Sequence, residues 1–210
     1  MSERLRGGLQ STASVMIGEL ILVLIGVVIA FLFLGDAWPF AFGWGVDVLV
    51  YGVIAALPPM ALVWLVWRDG GRRWPKVWAE FDRIVERLEP ALAPMLPSLN
   101  GWGMVVLALA AGIGEEILFR GALQPLIGLL AASLVFGALH ALTLGFFVFA
   151  TVFGLYLGWL YEFSQGLSVP ILTHAIYDVF ALYLLRRVYA ARRSRSPVSQ
   201  APRSDLDQTP

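Results

Sequence analysis

Seven residues in the second half of the chain have types and spacings that could do chemistry. Glu115, Glu116 and Arg120 lie in "GEEILFRG", Phe136 and His140 in "SLVFGALH", and His174 and Asp178 in "PILTHAIYD". A four-residue separation puts two side chains on one helical face. Glu116 can therefore pair with Arg120, and His174 with Asp178. Glu115 lies roughly 100° round the helix from Glu116, so that pairing leaves it free to face something else. Two imidazoles with one or two carboxylates make a plausible zinc site of the nitrogen and oxygen kind. Glu115 could act as a general base that takes a proton from water attacking a carbonyl. His140 and His174 would be ligands, or would orient water and stabilise the oxyanion. Competing chemistries lack their residues. The chain has no cysteine, no HExxH and no GxSxG. Tyr177–Asp178 has the "YD" of intramembrane aspartyl proteases, but a partner GxGD is missing.

All seven residues lie in apolar sequence. The 210-residue chain is 59% hydrophobic and 14% charged, whereas soluble domains run to about 45–50% apolar and about a quarter charged. This composition predicts an all-α, polytopic transmembrane helix bundle. A charge at mid-bilayer costs several kcal/mol, so it is kept where it pairs, lines a cavity or reacts. Helix-gluing polar contacts would explain any single histidine. Both histidines with a spare glutamate and an aspartate at one depth favour a shared site. With about 1.5 Å of rise per residue, Glu115 and His174 sit roughly 21 Å, and His140 roughly 16 Å, above the inner face. That convergence requires residues 120–130 to form a bend or short lateral helix, which Gly121, Pro125 and Gly128 allow.

The elements that must hold these residues follow from hydropathy. Six spans are expected, at 14–34, 46–67, 101–119, 126–143, 144–163 and 169–187, each near the roughly 20 residues a crossing needs. Glu19 is expected near one end of the first span, where a charge is tolerated. Between spans two and three, Trp78, Phe81, Ile84, Val85 and Leu88 recur at helical spacing opposite Lys76, Glu80, Asp82, Arg83, Glu86 and Arg87. That pattern predicts an amphipathic helix at the membrane interface. The organisation is then residues 1–99 as two spans plus the interfacial helix, 100–190 as the site-bearing helix core, and 191–210 as a disordered polar tail. Arg4 and Arg6, the Arg68–Lys76 cluster and Arg186–Arg195 all fall on one side of a six-span chain. The positive-inside rule makes that side, with both termini, cytoplasmic. The basic residues flank spans and form no groove-sized patch, which excludes nucleic acid as a partner.

The three motifs EExxxR, FxxxH and HxxxD, in this order inside apolar helices, resemble those of the CPBP family of CAAX-processing type II proteases and bacteriocin-processing or immunity proteins. The resemblance covers about residues 100–187, including "EEILFRGALQ" and "GLYLGWLYE" before "GLSVPILTHA". It implies an intramembrane, glutamate-dependent endopeptidase assisted by a divalent metal, zinc by donor type. It further implies that Glu115 activates water, that Glu116 and Arg120 are its structural partners, and that His140 and His174 are the site histidines. Asp178 occupies a position that is Asn in the CAAX-processing branch. An ionised Asp accepts hydrogen bonds or ligates a metal but cannot donate, so a CAAX substrate is not implied. Phe136 reads as packing beside His140. The expected metal ligands are His140 and His174 with Glu115 or Asp178. The expected partners are a peptide or protein substrate and the lipid bilayer, and the expected location is the prokaryotic plasma membrane. The competing readings are a non-catalytic immunity or partner-binding scaffold of the same fold, and a proton-coupled transporter. The latter would bring repeat symmetry, which the sequence does not display.

Overall fold

The computed structural model describes residues 3–35, 41–43 and 45–195. The described residues form helices and short connections, with no strand among them. In chain order the helices are α1 (Glu3–Phe33), α2 (Val46–Asp69), α3 (Pro75–Leu92), α4 (Gly101–Ile127), α5 (Leu129–Leu139), α6 (Leu144–Ser164) and α7 (Ser168–Arg195). Five of them, all but α3 and α5, are long and apolar enough to cross a membrane. Their outward faces carry exposed large side chains such as Phe31, Leu57, Leu144, Val152 and Phe163. Water disfavours such a surface and hydrocarbon accepts it, so the chain is an integral membrane protein.

The stretch 126–143 departs from the expected span. Its helix, α5, has 11 residues, a rise of about 16 Å, roughly half the hydrocarbon core. The shortening has a cause at each end. The expected bend over 120–130 forms only near the end of that stretch. The helix of the acidic motif runs on to Ile127 through a π-helical stretch, Ile117–Leu123, in which the Gln124 amide donates to Phe119 O. Pro125, which has no N–H to give, follows directly where that wider register resets. The break comes only at Gly128, at φ +83°, a conformation open to glycine. At the other end α5 stops at His140, and Thr143 caps α6 by accepting from the Phe146 amide at 3.1 Å.

Helix α7 is central, packed against α2, α4 and α6, while α1 lies along α4 and α5 forms an antiparallel hairpin with α6. Close backbone approach makes these contacts. A side chain at Gly112 would lie 3.0 Å from Ile171 O on α7, and one at Gly137 would overlap the Thr151 hydroxyl on α6. One feature differs from expectation. Helix α7 continues through Arg195, so residues 191–195 are helical, whereas 196–210 lie outside the described residues. Helix α3 turns its apolar face inward, with Val85 buried and Phe81, Ile84 and Leu88 lining an internal cavity.

Candidate active site

The buried centre of the site is an ion pair on α4. Arg120 Nη1 donates to Glu116 Oε1 at 2.8 Å, and both side chains are almost fully buried. Arg120 Nη2 donates to Gly154 O on α6 at 2.8 Å, and its guanidinium stands 4.9 Å from the centre of the Phe136 ring on α5. One arginine thus ties α4, α5 and α6 together. Its burial is tolerable because each face of the cation meets a carboxylate, a carbonyl or a π cloud.

The histidines are oriented by what holds their Nδ1 atoms. His174 Nδ1 lies 2.8 Å from Glu116 Oε1, and His140 Nδ1 lies 2.8 Å from Phe136 O. A carboxylate paired with arginine and a carbonyl can only accept, so both Nδ1 atoms carry the proton. In the neutral rings the Nε2 lone pairs are then free, and both face Glu115. His140 Nε2 lies 3.7 Å from Glu115 Oε1, His174 Nε2 lies 3.8 Å from Glu115 Oε2, and Asp178 Oδ2 lies 3.6 Å from His174 Nε2. Phe136 stacks on His140 with ring centres 4.5 Å apart, and Phe153 meets His174 edge to face at 5.5 Å. The structure therefore brings Glu115, Glu116, Arg120, Phe136, His140, His174 and Asp178 into one cluster. Exposure grades across it: the Glu116 and Arg120 side chains are closed off, while those of His140 and Asp178 are 29% and 25% exposed.

Separations of 3.6–3.8 Å are too long for direct hydrogen bonds and suit a shared third body. Ligands about 2.1 Å from a tetrahedral zinc lie roughly 3.4 Å from one another. Among the described residues, no three His, Asp or Glu side chains are drawn close enough to hold an ion as they stand. The donor chemistry nevertheless fits a divalent metal. Two neutral imidazoles present Nε2, each backed by a carboxylate or a carbonyl on Nδ1, which is the outer-shell arrangement typical of metal-binding histidines. Glu115 Oε2 is buried without a protein hydrogen-bond partner.

A cavity of about 680 Å³ opens on His140, His174 and Asp178 and extends between α3 and α7. Two features of the site escape sequence reasoning. Glu19 is not at a span end: α1 begins at Glu3, so Glu19 falls near the middle of the 27-residue Gly7–Phe33 span. Its Oε2 is buried without a partner and occupies the space that a side chain at Gly114 would fill, beside Glu115. The only signal was an acid in an apolar run. Second, Glu80 on α3 accepts from the Gly145 amide at 2.9 Å, just beyond His140. The Thr143 hydroxyl above all, and then the Gly145 amide and Arg83, hold the Glu80 carboxyl below the usual glutamate range against a desolvation penalty. No spacing rule connects residues 65 positions apart.

Residues 97–180 match a protein-family model described as Type II CAAX prenyl endopeptidase Rce1-like. The chain is also 44% identical over 82 residues to "Uncharacterized protein YpbD" of Bacillus subtilis (strain 168), an alignment covering 37% of this chain and 43% of that protein. The chain thus spans less than half the length of the curated relative it matches. No solved structure matches it. All seven clustered residues fall inside the matched segment, and Glu19 and α3 fall outside it.

Proposed function

From a chain whose 97–180 core belongs to the Rce1-like family of endopeptidases, we propose an intramembrane endopeptidase that hydrolyses a peptide bond with Glu115 as the water-activating base. The observation that carries this reading is the pair of Nε2 atoms flanking the two oxygens of one half-buried glutamate, each imidazole locked through its Nδ1. Water held between Glu115 and His140 gives its proton to the carboxylate as its oxygen adds to the scissile carbonyl. Glu115 then returns that proton to the departing amine, so the carboxylate is restored and water is consumed. Glu116 and Arg120 keep His174 in its tautomer and take no proton themselves. A divalent metal, zinc by donor type, would be held by His140 and His174 with Glu115 or Asp178, and would supply Lewis-acid polarisation of the carbonyl and of the attacking water. Asp178, whose Oδ2 lies 3.6 Å from His174 Nε2, adds a second carboxylate on that side of the site.

The substrate is a peptide or protein associated with the membrane. The basic residues Arg68, Arg72, Arg73 and Lys76 precede or open α3, and Arg192 of α7 pairs with Asp82 and Glu89 of α3. Both basic clusters thus sit at one end of the bundle, which supports a cytoplasmic position for that end and for both termini. The test is Glu115→Gln in purified protein reconstituted in vesicles, read by mass spectrometry of cleaved membrane-anchored peptides. Cleavage is expected to fall about 10²–10⁴-fold, the usual worth of a general base, with unchanged thermal unfolding. Full activity in this variant overturns the mechanism.

A further inference from the structure

The cavity beside the site has two walls of different origin. One comes from the matched core: Phe146, Phe149 and Phe153 of α6 and Tyr177 of α7. The other is α3, whose residues Val77, Phe81, Ile84, Val85 and Leu88 face it across the space. At about 680 Å³ the cavity is of the size that encloses a small ligand or a few side chains. Apart from His140, His174 and Asp178, its polar lining is Lys76, Glu80 and Tyr177, and Glu80 is already engaged by the Gly145 amide. A charged group drawn into the apolar part would find no partner there.

Helix α3 is also held in place by identifiable ties. It follows two left-handed glycines, Gly70 at φ +59° and Gly71 at φ +83°. Glu80 fastens it to the turn that ends in α6, and Arg192 fastens it to α7 through Asp82 and Glu89. The Arg192 tie uses the polar face of the helix, and Glu80, which also lines the cavity, is taken up by Gly145, which leaves Phe81, Ile84 and Leu88 free to meet an occupant. We infer that α3 is the specificity wall of the active site, and that Phe81, Ile84 and Leu88 receive an uncharged, apolar stretch of the substrate peptide flanking the scissile bond. This rests on the hydrolytic reading of the site. It deepens that reading by assigning substrate choice to a helix outside the matched family segment. The occupant is peptide because the cavity is continuous with His140, His174 and Asp178, so the residues next to a bond presented there come within its reach.

The test uses the full chain in vesicles and a set of membrane-anchored peptides carrying Ala, Leu, Trp or Lys at the positions flanking the cleaved bond. Wild type is expected to prefer Leu over Lys by at least about tenfold, and Ile84→Trp to lower the Leu-to-Ala rate ratio by about tenfold, in the range of pocket discrimination by size. Phe81→Ala should raise the Trp-to-Leu ratio. Variants that change all rates by one common factor overturn the wall. A binding measurement separates this from failure of the hydrolytic reading. The chain has no cysteine, so Val77→Cys, at a half-exposed cavity position, carries a sole thiol. In a Glu115→Gln background the Leu peptide should slow maleimide modification of that thiol and the Lys peptide should not. Protection by the Leu peptide together with no cleavage by wild type leaves the wall standing and removes the hydrolysis. Equal protection by both peptides, or full protection by vesicle lipid alone, overturns the wall; in the latter case the occupant is an acyl chain.

Discussion

The α4–α7 core and the three helices before it use their polar side chains for different ends. In the core, Arg120 is shared between Glu116 and Gly154 O, and Glu116 Oε1 serves both Arg120 and His174. Each histidine is pinned at one nitrogen and free at the other. In the N-terminal region, Glu19 reaches the site without a tie to it, its buried Oε2 unpartnered like Glu115 Oε2 and Glu116 Oε2 in the core, and the charges of α3 serve to fasten that helix to α6 and α7. The core is organised as a network in which each part orients the next. The preceding helices instead enclose that network, and their apolar side chains shape the space beside it. Chemistry and access are thus carried by different stretches of chain, and they should respond differently to mutation.

The largest expected separation comes from Glu115→Gln, which should remove activity by the 10²–10⁴-fold given above while leaving the melting temperature in detergent unmoved. A variant that also melts early would place Glu115 in the structural network and blur the comparison. Arg120→Ala should do the reverse. It strands Glu116 as a buried, uncompensated charge, at a cost of about 3–5 kcal/mol, seen as a lowered unfolding transition before any assay of cleavage. A stable Arg120→Ala protein would mean that the His174 contact alone suffices to hold Glu116 in the fold. Gly112→Ala tests the packing that joins the halves of the site. The added methyl meets Ile171 O at 3.0 Å and the Ala175 amide nitrogen at 3.3 Å, so α4 and α7 must separate slightly, at about 1–3 kcal/mol. Cleavage should drop as well, because Glu115 and Glu116 move away from His174; intact cleavage would show that the site tolerates this spread.

The smallest effect is expected at Glu80. Its carboxyl ionises below the ordinary glutamate value, so its tie to Thr143 and Gly145 is fully present above about pH 4.3 and is lost as the pH falls through the lowered value in the fold. Hydrogen exchange over residues 75–92, corrected for intrinsic rates, should rise on that acidification in wild type. In Glu80→Gln it should already be raised at neutral pH and should lose the acid step. Exchange that is the same in both proteins would detach α3 from the α5–α6 turn.

Much of this molecule is legible in its sequence, for local reasons. Apolar runs near the thickness of a bilayer announce the long helices, and four-residue spacing announces the contact of Glu116 with Arg120, because both depend only on helix geometry. The reading fails where a local break decides the path. Residues 126–143 look apolar enough to cross, yet a glycine at positive φ and a helix end at His140 leave only 11 helical residues. At α3 the sequence stops short, since an amphipathic face announces burial without saying against what. Lipid and a protein cavity are equally apolar partners.

By itself, then, the sequence determined a membrane-embedded helical protein with its ionisable residues at helix-turn intervals, because hydropathy and the 3.6-residue period are properties of neighbouring residues. Only the tertiary structure decided that Glu116 also orients His174, that Glu19 lies beside Glu115, and that α3 faces the cavity. Those contacts join residues dozens of positions apart, and they exist only where glycine-lined helices pack closely enough for the side chains to meet.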